Sequence, residues 1–371
     1  MIEKDVVIIG AGVAGLYLSR LLEKKGINYI TFERNVKVGK YGNRIISNAA
    51  FKKLELSKDV IIEEIKEINF VSPSGIKISK TSKEPRGYVT NLGFLENEIL
   101  STLKDKSKII FNHSVEDIDL NEGLLKVNNY EIKSKIIIFA SGILQSYLSN
   151  KIMVDKPKVV FCYVNEIEGK DRITTILDNE KGHGFYAWII PLKDHIEVGF
   201  GTDQIDTLKG KDLNEVLFSI RYIDKYKGNK KLKKLGGFIP TSLVEKRCDK
   251  NWILIGDTSG GEALMGGSIH KSIDEALLAS EIIESFINNK ISSLEGYDKL
   301  WEESIGRGFY EQEKIREVLD HSSNKEIDEV FRIVQGGIIE GEGLINNLFK
   351  NIILNLIEIK KSKKKEKINE S

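Results

Sequence analysis

The chain has 371 residues, of which 41% are apolar and 30% charged, with a net charge of +1. This is a globular composition, long enough for two domains, and it excludes a disordered polymer or a nucleic-acid binder held by net charge. Two cysteines, Cys162 and Cys248, lie far apart without CxxC spacing, which excludes a Cys-based metal site and fits a reducing compartment; no metal is expected.

"DVVIIGAGVAGLYLSRLLEKKGINYITFERN" (Asp5–Asn35) predicts strand, glycine turn, helix and second strand. Its apolar start is too short for a signal segment and reads as a buried strand. Gly10, Gly12 and Gly15 form GxGxxG: the first for a tight turn, the second for backbone approach to a pyrophosphate, the third for close helix–strand packing. The helix N-terminus offers free N–H groups to phosphates. Glu33 follows Gly15 by 18 residues, where an acid accepts ribose hydroxyls and disfavours a 2′-phosphate. This motif alone leaves FAD and NAD both open.

Further on, "INFVSPSGIKISK" (Ile68–Lys80) reads as a hairpin. Region 158–245 carries the strands "KVVFCYV", "RITTIL" and "GGFIP" and one helix, "DLNEVLFSIRYIDKYK". Within it, "GFYAWIIPLKDHIEVGFG" (Gly184–Gly201) alternates, turns after Pro191 and alternates again. Tyr186 and Trp188 lie two apart and are expected on one face, with Phe185 pointing the other way into packing. The strand is either core packing or an aromatic wall facing a flat or apolar ligand.

"NWILIGDTSGGEALMGGSIHKSIDEALLASEIIESFI" (Asn251–Ile287) repeats the strand, glycine turn and helix pattern. Asp257 ends the strand, and Gly260, Gly261, Gly266 and Gly267 keep the loop free of side chains. Such a turn either caps its own helix or holds the ribityl and isoalloxazine end of FAD. Beside the N-terminal fingerprint it favours FAD, a long cofactor that needs two separated segments. Residues 301–371 read as helical, and "GLINNLFKNIILNLIEIKKSKKKEK" (Gly343–Lys367) joins an apolar helix to a Lys-rich end. Either Leu348, Phe349, Ile352 and Leu356 dock on the protein and the lysines are solvated, or the segment touches an anionic membrane surface.

"VVIIGAGVAGL…FE" with "IGDTSG…GGSI…A" resembles the flavoprotein fold of p-hydroxybenzoate hydroxylase, and within it the geranylgeranyl reductase family. Tyr186, Trp188 and Pro191 match that family's YxWxFP-type strand, with Ile190 for Phe, and "IEVGFG" follows as its NVGxG-like strand. "LGGFIP" and "SNKEIDEVFRIV" resemble family segments as well. The resemblance implies an α/β protein: a Rossmann-like FAD-binding domain of glutathione reductase type 2, an inserted antiparallel β-sheet substrate domain and a C-terminal helical segment. The implied boundaries are 1–68, 96–157 and 246–300 for the FAD domain, 69–95 and 158–245 for the substrate domain, and 301–371 for the helical segment. The implied cofactor contacts are Gly10, Gly12, Ala14, Gly15, Glu33, Arg34, Arg44, Val115 (adenine end, through its backbone), Gly142, Asp257, Gly260, Gly267, Ser268 and Ile269; Tyr186, Trp188 and Pro191 are the implied substrate contacts.

The chain also departs from the family. Gly42 stands for a cysteine, Arg44 for a glycine and Leu92 for an arginine; the loop after Asp257 lacks an NP pair, and its final glycine is Ser268. The implied activity is FAD-dependent reduction of prenyl C=C bonds of lipids, with NAD(P)H or a small redox protein such as a ferredoxin as transient donor. Rival readings are an oxygen-using monooxygenase or halogenase, a carotenoid-cyclase-like enzyme, and a non-catalytic flavin-binding protein. No catalytic residue is identified; His270 is a candidate acid, with a helix-surface role as the plainer reading. A cytoplasmic protein with peripheral contact to the inner face of the membrane is expected, with no nucleic-acid partner.

Overall fold

The strand that reads as a continuous apolar run is paired, at the centre of one sheet, with a second apolar strand. Val6–Ile9 and Ile136–Phe139 are almost wholly buried and run parallel, Ile9 opposite Phe139. Burial on both faces is what an uninterrupted apolar run specifies. The computed structural model describes residues 2–143, 157–180, 184–267, 269–335 and 355–357. Its internal contacts divide the chain into two compact units, Met1–Ile61 with Thr90–Lys158 and Ile239–Tyr310, and Ile62–Val89 with Val159–Phe238 and Glu311–Ser371.

The first unit is built on a sheet in the order Cys248–Asp249, Trp252–Leu254, Tyr130–Phe139, Ile2–Ile9, Tyr29–Phe32, Ile109–Ile110. All these pairings are parallel except that of Cys248–Asp249 with Trp252–Leu254. The first half of Tyr130–Phe139 alternates exposed and buried where it pairs antiparallel with Leu124–Val127, then becomes fully buried. Register brings Ile9, Phe32, Phe139 and Leu254 to one edge. Gly10, Glu33, Ala140 and Ile255 therefore leave the sheet together, at the carboxyl ends where α/β sheets bind ligands. The helices Val13–Lys24 and Ile269–Ile287 pack against each other.

The second unit is a seven-stranded sheet in the order Lys231–Pro240, Val159–Glu168, His195–Thr202, Gly184–Leu192, Ile173–Ile176, Glu67–Val71, Lys77–Thr81. Its central pairings and the Glu67–Thr81 hairpin are antiparallel, and Ile173–Ile176 runs parallel to Glu67–Val71. One face carries Ile167, Ala187, Ile189, Ile196, Val198 and Phe200 into a core with Val216, Leu217 and Phe218 of helix Leu213–Ser219. The single helix expected over residues 212–227 stops at Ser219, because Ile220 turns extended and Tyr222 takes a positive φ of 78°. A short 3-10 turn, Asp224–Tyr226, follows.

Helix Asn324–Gln335 buries Ile327, Val330, Phe331 and Val334. Of the four apolar residues named in the tail segment, Leu356 falls among the described residues and is buried; Leu348, Phe349, Ile352 and the lysines lie outside them. Among the described residues no helix is long and apolar enough to cross a membrane, and no metal-ligating cluster occurs.

Candidate functional site

The GxGxxG glycines answer three different constraints. Gly10 has φ +106°, and a Cβ there would stand 2.5 Å from the Ala140 carbonyl oxygen. A Cβ on Gly15 would meet the Gly10 carbonyl oxygen at 1.9 Å, so the helix can approach its strand only with glycine there. At Gly12 the protein leaves room, since the nearest atom to a Cβ is Glu96 Oε1 at 3.8 Å. Gly12 is also the N-cap of Val13–Lys24, with no side-chain cap and no acid in the first turn. The helix thus presents uncapped N–H groups at an open backbone.

Glu33, buried at the strand end, holds this turn. Its Oε2 accepts the Ala11 N–H at 2.9 Å and its Oε1 accepts the Asn35 N–H at 3.0 Å. The His113 N–H is donated to the Glu33 carbonyl, which brings the segment leading to Val115 beside it. Arg34 is exposed, and Val115 begins the strand Val115–Asp119.

The second glycine turn meets the first. A Cβ on Gly256, whose φ is +71°, would sit 3.0 Å from the Ala14 side chain, so Ala14 sets the spacing of the two turns. The Gly142 N–H is donated to Thr258 Oγ1 at 3.1 Å, joining the end of the central strand to the same place. Asp257 is part-exposed; the protein packed around it pushes its carboxyl up, against the opposing pull of the Lys271 and Arg44 cations. Gly260 is required by the chain itself: a Cβ would stand 2.2 Å from the Ser242 carbonyl oxygen. Gly267 has open space to Glu262 Oε2 at 3.7 Å, Ile269 opens the helix Ile269–Ile287, and Ser268 lies outside the described residues. His270 stacks on Phe309 and faces Glu262 Oε1 at 3.5 Å, a tie between loop and helix.

In the second unit the aromatic strand departs from simple alternation. Trp188 lies across Gly199, where a Cβ would meet its ring at 2.5 Å, and Phe185 lies across Gly201 at the same distance. Gly199 and Gly201 are two apart on one strand, so both rings lie on the same face. An irregularity between Gly184 and Ala187 shifts the register and turns Phe185 to join the group, contrary to the expectation that it points away. Tyr186 sits between them, its ring 4.4 Å from Phe185 and 5.7 Å from Trp188. The Arg316 guanidinium covers Phe185 at 4.5 Å. The Trp188 N–H is donated to the buried Glu197 at 2.9 Å, so its partner is within the sheet. Pro191 is part-buried near the strand's end.

No family profile matches the chain. It is 24% identical to the digeranylgeranylglycerophospholipid reductase of Methanocaldococcus jannaschii over 87% of this chain and 88% of that one. It is 24% identical to the enzyme of that name from Methanococcus vannielii, over 88% and 89%. A crystal structure from Thermoplasma acidophilum described as geranylgeranyl bacteriochlorophyll reductase-like superposes with a TM-score of 0.82, covering 95% of this chain and 96% of that one at 18% identity. The chain is thus similar over most of its length to proteins of the geranylgeranyl reductase type. The probable FAD-dependent monooxygenase pqsL of Pseudomonas aeruginosa shares the fold at a lower TM-score, 0.68, with 14% identity over 90% and 100%.

Against the geranylgeranyl reductase pattern, the three departures lie together. The Leu92 N–H is donated to the Gly42 carbonyl at 2.8 Å. Arg44 folds back so that its Nη1 stands 3.1 Å from where a Gly42 Cβ would be, while donating to the Asn43 carbonyl at 2.8 Å. The guanidinium thus fills the space above Gly42 that a side chain at that position would enter. Sequence reasoning missed Glu96, which is buried, accepts the Gly39 and Lys40 N–H groups and faces Gly12. In "LENEIL" it looks like any surface-helix acid, so no local signal marks it.

Proposed function

We propose that this protein is an FAD-dependent oxidoreductase that reduces C=C bonds in the prenyl chains of lipids. The observation that carries the reading is the pair of glycine turns joined at Ala14 and Gly256, in a chain similar over most of its length to digeranylgeranylglycerophospholipid reductases. The residues present fit the cofactor. Gly12 is a glycine that its own protein surroundings do not require, which is what a backbone approached by a pyrophosphate needs.

When bound and reduced, FAD supplies the hydride for an isolated alkene. The chain's own residues bind and align. Glu33 takes the ribose hydroxyls at the adenosine end, with Val115 offering backbone contacts there. Gly10, Gly12, Gly15 and the N-terminus of Val13–Lys24 hold the pyrophosphate. Asp257, with Gly142 and Gly267 beside its turn, receives the ribityl end. Tyr186 and Trp188 form the wall along which a prenyl chain lies, and they exclude water from it. His270 stacks on Phe309 and faces Glu262, and the proton that completes the reduction comes from water or a group of the pocket. NAD(P)H or a small redox protein delivers the electrons, and the Lys-rich tail meets an anionic membrane surface at which such lipids reside.

The test is a visible spectrum of the purified protein, then anaerobic reduction with dithionite and addition of a geranylgeranyl lipid. Reoxidation of the flavin with products heavier by two hydrogens per double bond is expected. A reduced flavin that ignores the lipid yet reacts rapidly with oxygen overturns the reading in favour of an oxygenase.

A further inference from the structure

A closed ion pair lies against the Asp257 turn, and nothing in the proposed chemistry uses it. Lys271 and Glu275 stand four residues apart in Ile269–Ile287, and both are fully buried. An i,i+4 pair of this kind ordinarily lies on a solvated helix face. Buried, it is costly unless every donor and acceptor is bonded.

Here the bonds run to the turn. Lys271 Nζ donates to the Gly256 carbonyl at 2.9 Å, to Ser259 Oγ at 2.5 Å and to both Glu275 oxygens at 2.9 Å. Glu275 accepts the Gly256 N–H at 2.7 Å, the Ser259 hydroxyl at 2.7 Å and the Trp301 indole N–H at 2.9 Å. Both backbone polar groups of Gly256 are therefore held by one ion pair. Gly256 is the residue whose positive φ aims Asp257 and whose missing side chain admits Ala14 of the first turn.

We propose that Lys271 and Glu275 are positioning residues for the cofactor: their grip on Gly256 fixes the turn in the form that receives the ribityl end of FAD. This rests on the FAD reading above. An apolar pair of similar volume would serve stability as well or better. Only a donor and an acceptor at fixed separation can hold the N–H and C=O of one residue at once.

The test compares FAD with ADP, which reaches only the adenosine and pyrophosphate contacts. Calorimetric titrations would use the wild type, the paired variant Lys271→Met/Glu275→Leu and the milder Ser259→Ala. In the folded paired variant, FAD affinity is expected to fall at least about tenfold with ADP affinity within about twofold. Ser259→Ala should shift FAD affinity in the same direction by less. FAD affinity retained in the folded paired variant, or FAD and ADP falling together, overturns the proposal. If the paired variant does not fold, unchanged FAD affinity in Ser259→Ala overturns it instead. A wild type that binds ADP but not FAD sinks the cofactor reading itself, a result distinct from these.

Discussion

Glu33 Oε2 accepts the N–H of Ala11 at 2.9 Å, so the acid that ends the second strand is tied to the turn that ends the first. One carboxylate shapes the glycine turn through Ala11 and Asn35 and, in the proposed FAD complex, keeps an acceptor site for the adenosine ribose. Glu33→Ala removes both. Hydrogen bonds to a charged group contribute about 1.5–3 kcal/mol, so FAD affinity should fall roughly 10- to 100-fold. FMN lacks the adenosine and should bind the variant as it binds the wild type. Equal losses for FAD and FMN would remove Glu33 from adenosine recognition.

Gly12 and Gly15 separate ligand space from packing space. A Cβ at residue 15 would lie 1.9 Å from a backbone oxygen, while one at residue 12 finds nothing nearer than 3.8 Å. Gly15→Ala should therefore destabilise the fold by several kcal/mol or prevent it, because helix and strand must part. Gly12→Ala should fold with a melting temperature near the wild type, yet lose flavin. Thermal melts beside visible spectra of both variants check this, and a Gly12→Ala protein that stays yellow would contradict it.

The parts of the site legible in the sequence were those where spacing has one physical meaning. Gly10, Gly15 and Glu33 announce the strand, turn and helix because each enforces a local geometry. The second turn was legible at Asp257, but its support was not. In Ile269–Ile287 the charged Lys271 and Glu275 are buried while the apolar Leu277 and Leu278 are part-exposed. Hydrophobic period cannot report a core position that is paid for by hydrogen bonds. Phe185 was misplaced for a related reason: alternation assumes an unbroken ladder, and the irregularity at Gly184–Ala187 depends on tertiary pairing.

Trp188 needs Gly199 beneath it. Gly199→Ala would place a Cβ 2.5 Å from the indole, and the ring must shift. Overpacking of this kind costs about 1–3 kcal/mol. Because Trp188 and Gly199 both belong to the second unit, flavin affinity should stay within about twofold while KM for the prenyl lipid rises. Intrinsic fluorescence and steady-state kinetics report the two effects. Unchanged KM with a displaced indole would take Trp188 out of the substrate wall.

Cys248 is buried, and that burial, reinforced by the nearby Asp298, pushes its thiol up to about 12. Cys162 is buried as well, and residue 42 is glycine. Iodoacetamide near pH 8 should therefore label neither cysteine in the folded protein, and turnover should survive treatment, since the thiolate is the reactive form. Mass spectrometry before and after unfolding in guanidinium checks this. Rapid labelling of the native protein with loss of activity would show a functional thiol.

Glu96 gives the site a pH dependence with a definite sign. Burial raises its pKa above the ordinary carboxyl value; the Gly39 and Lys40 N–H groups oppose the shift, and the Glu33 charge adds to it. A carboxyl raised in the folded state favours the protonated form, so its stabilising contribution is complete below the unfolded value of about 4.3. That contribution is lost as pH rises through the raised folded value. Glu96→Gln stays neutral and keeps an oxygen for the two N–H donors. In urea titrations of flavin-free protein between about pH 4 and 8, the variant's stability relative to wild type should increase with pH. A difference that is constant with pH, or that decreases, would mean that Glu96 is ionised beside Gly12 at no cost to the fold.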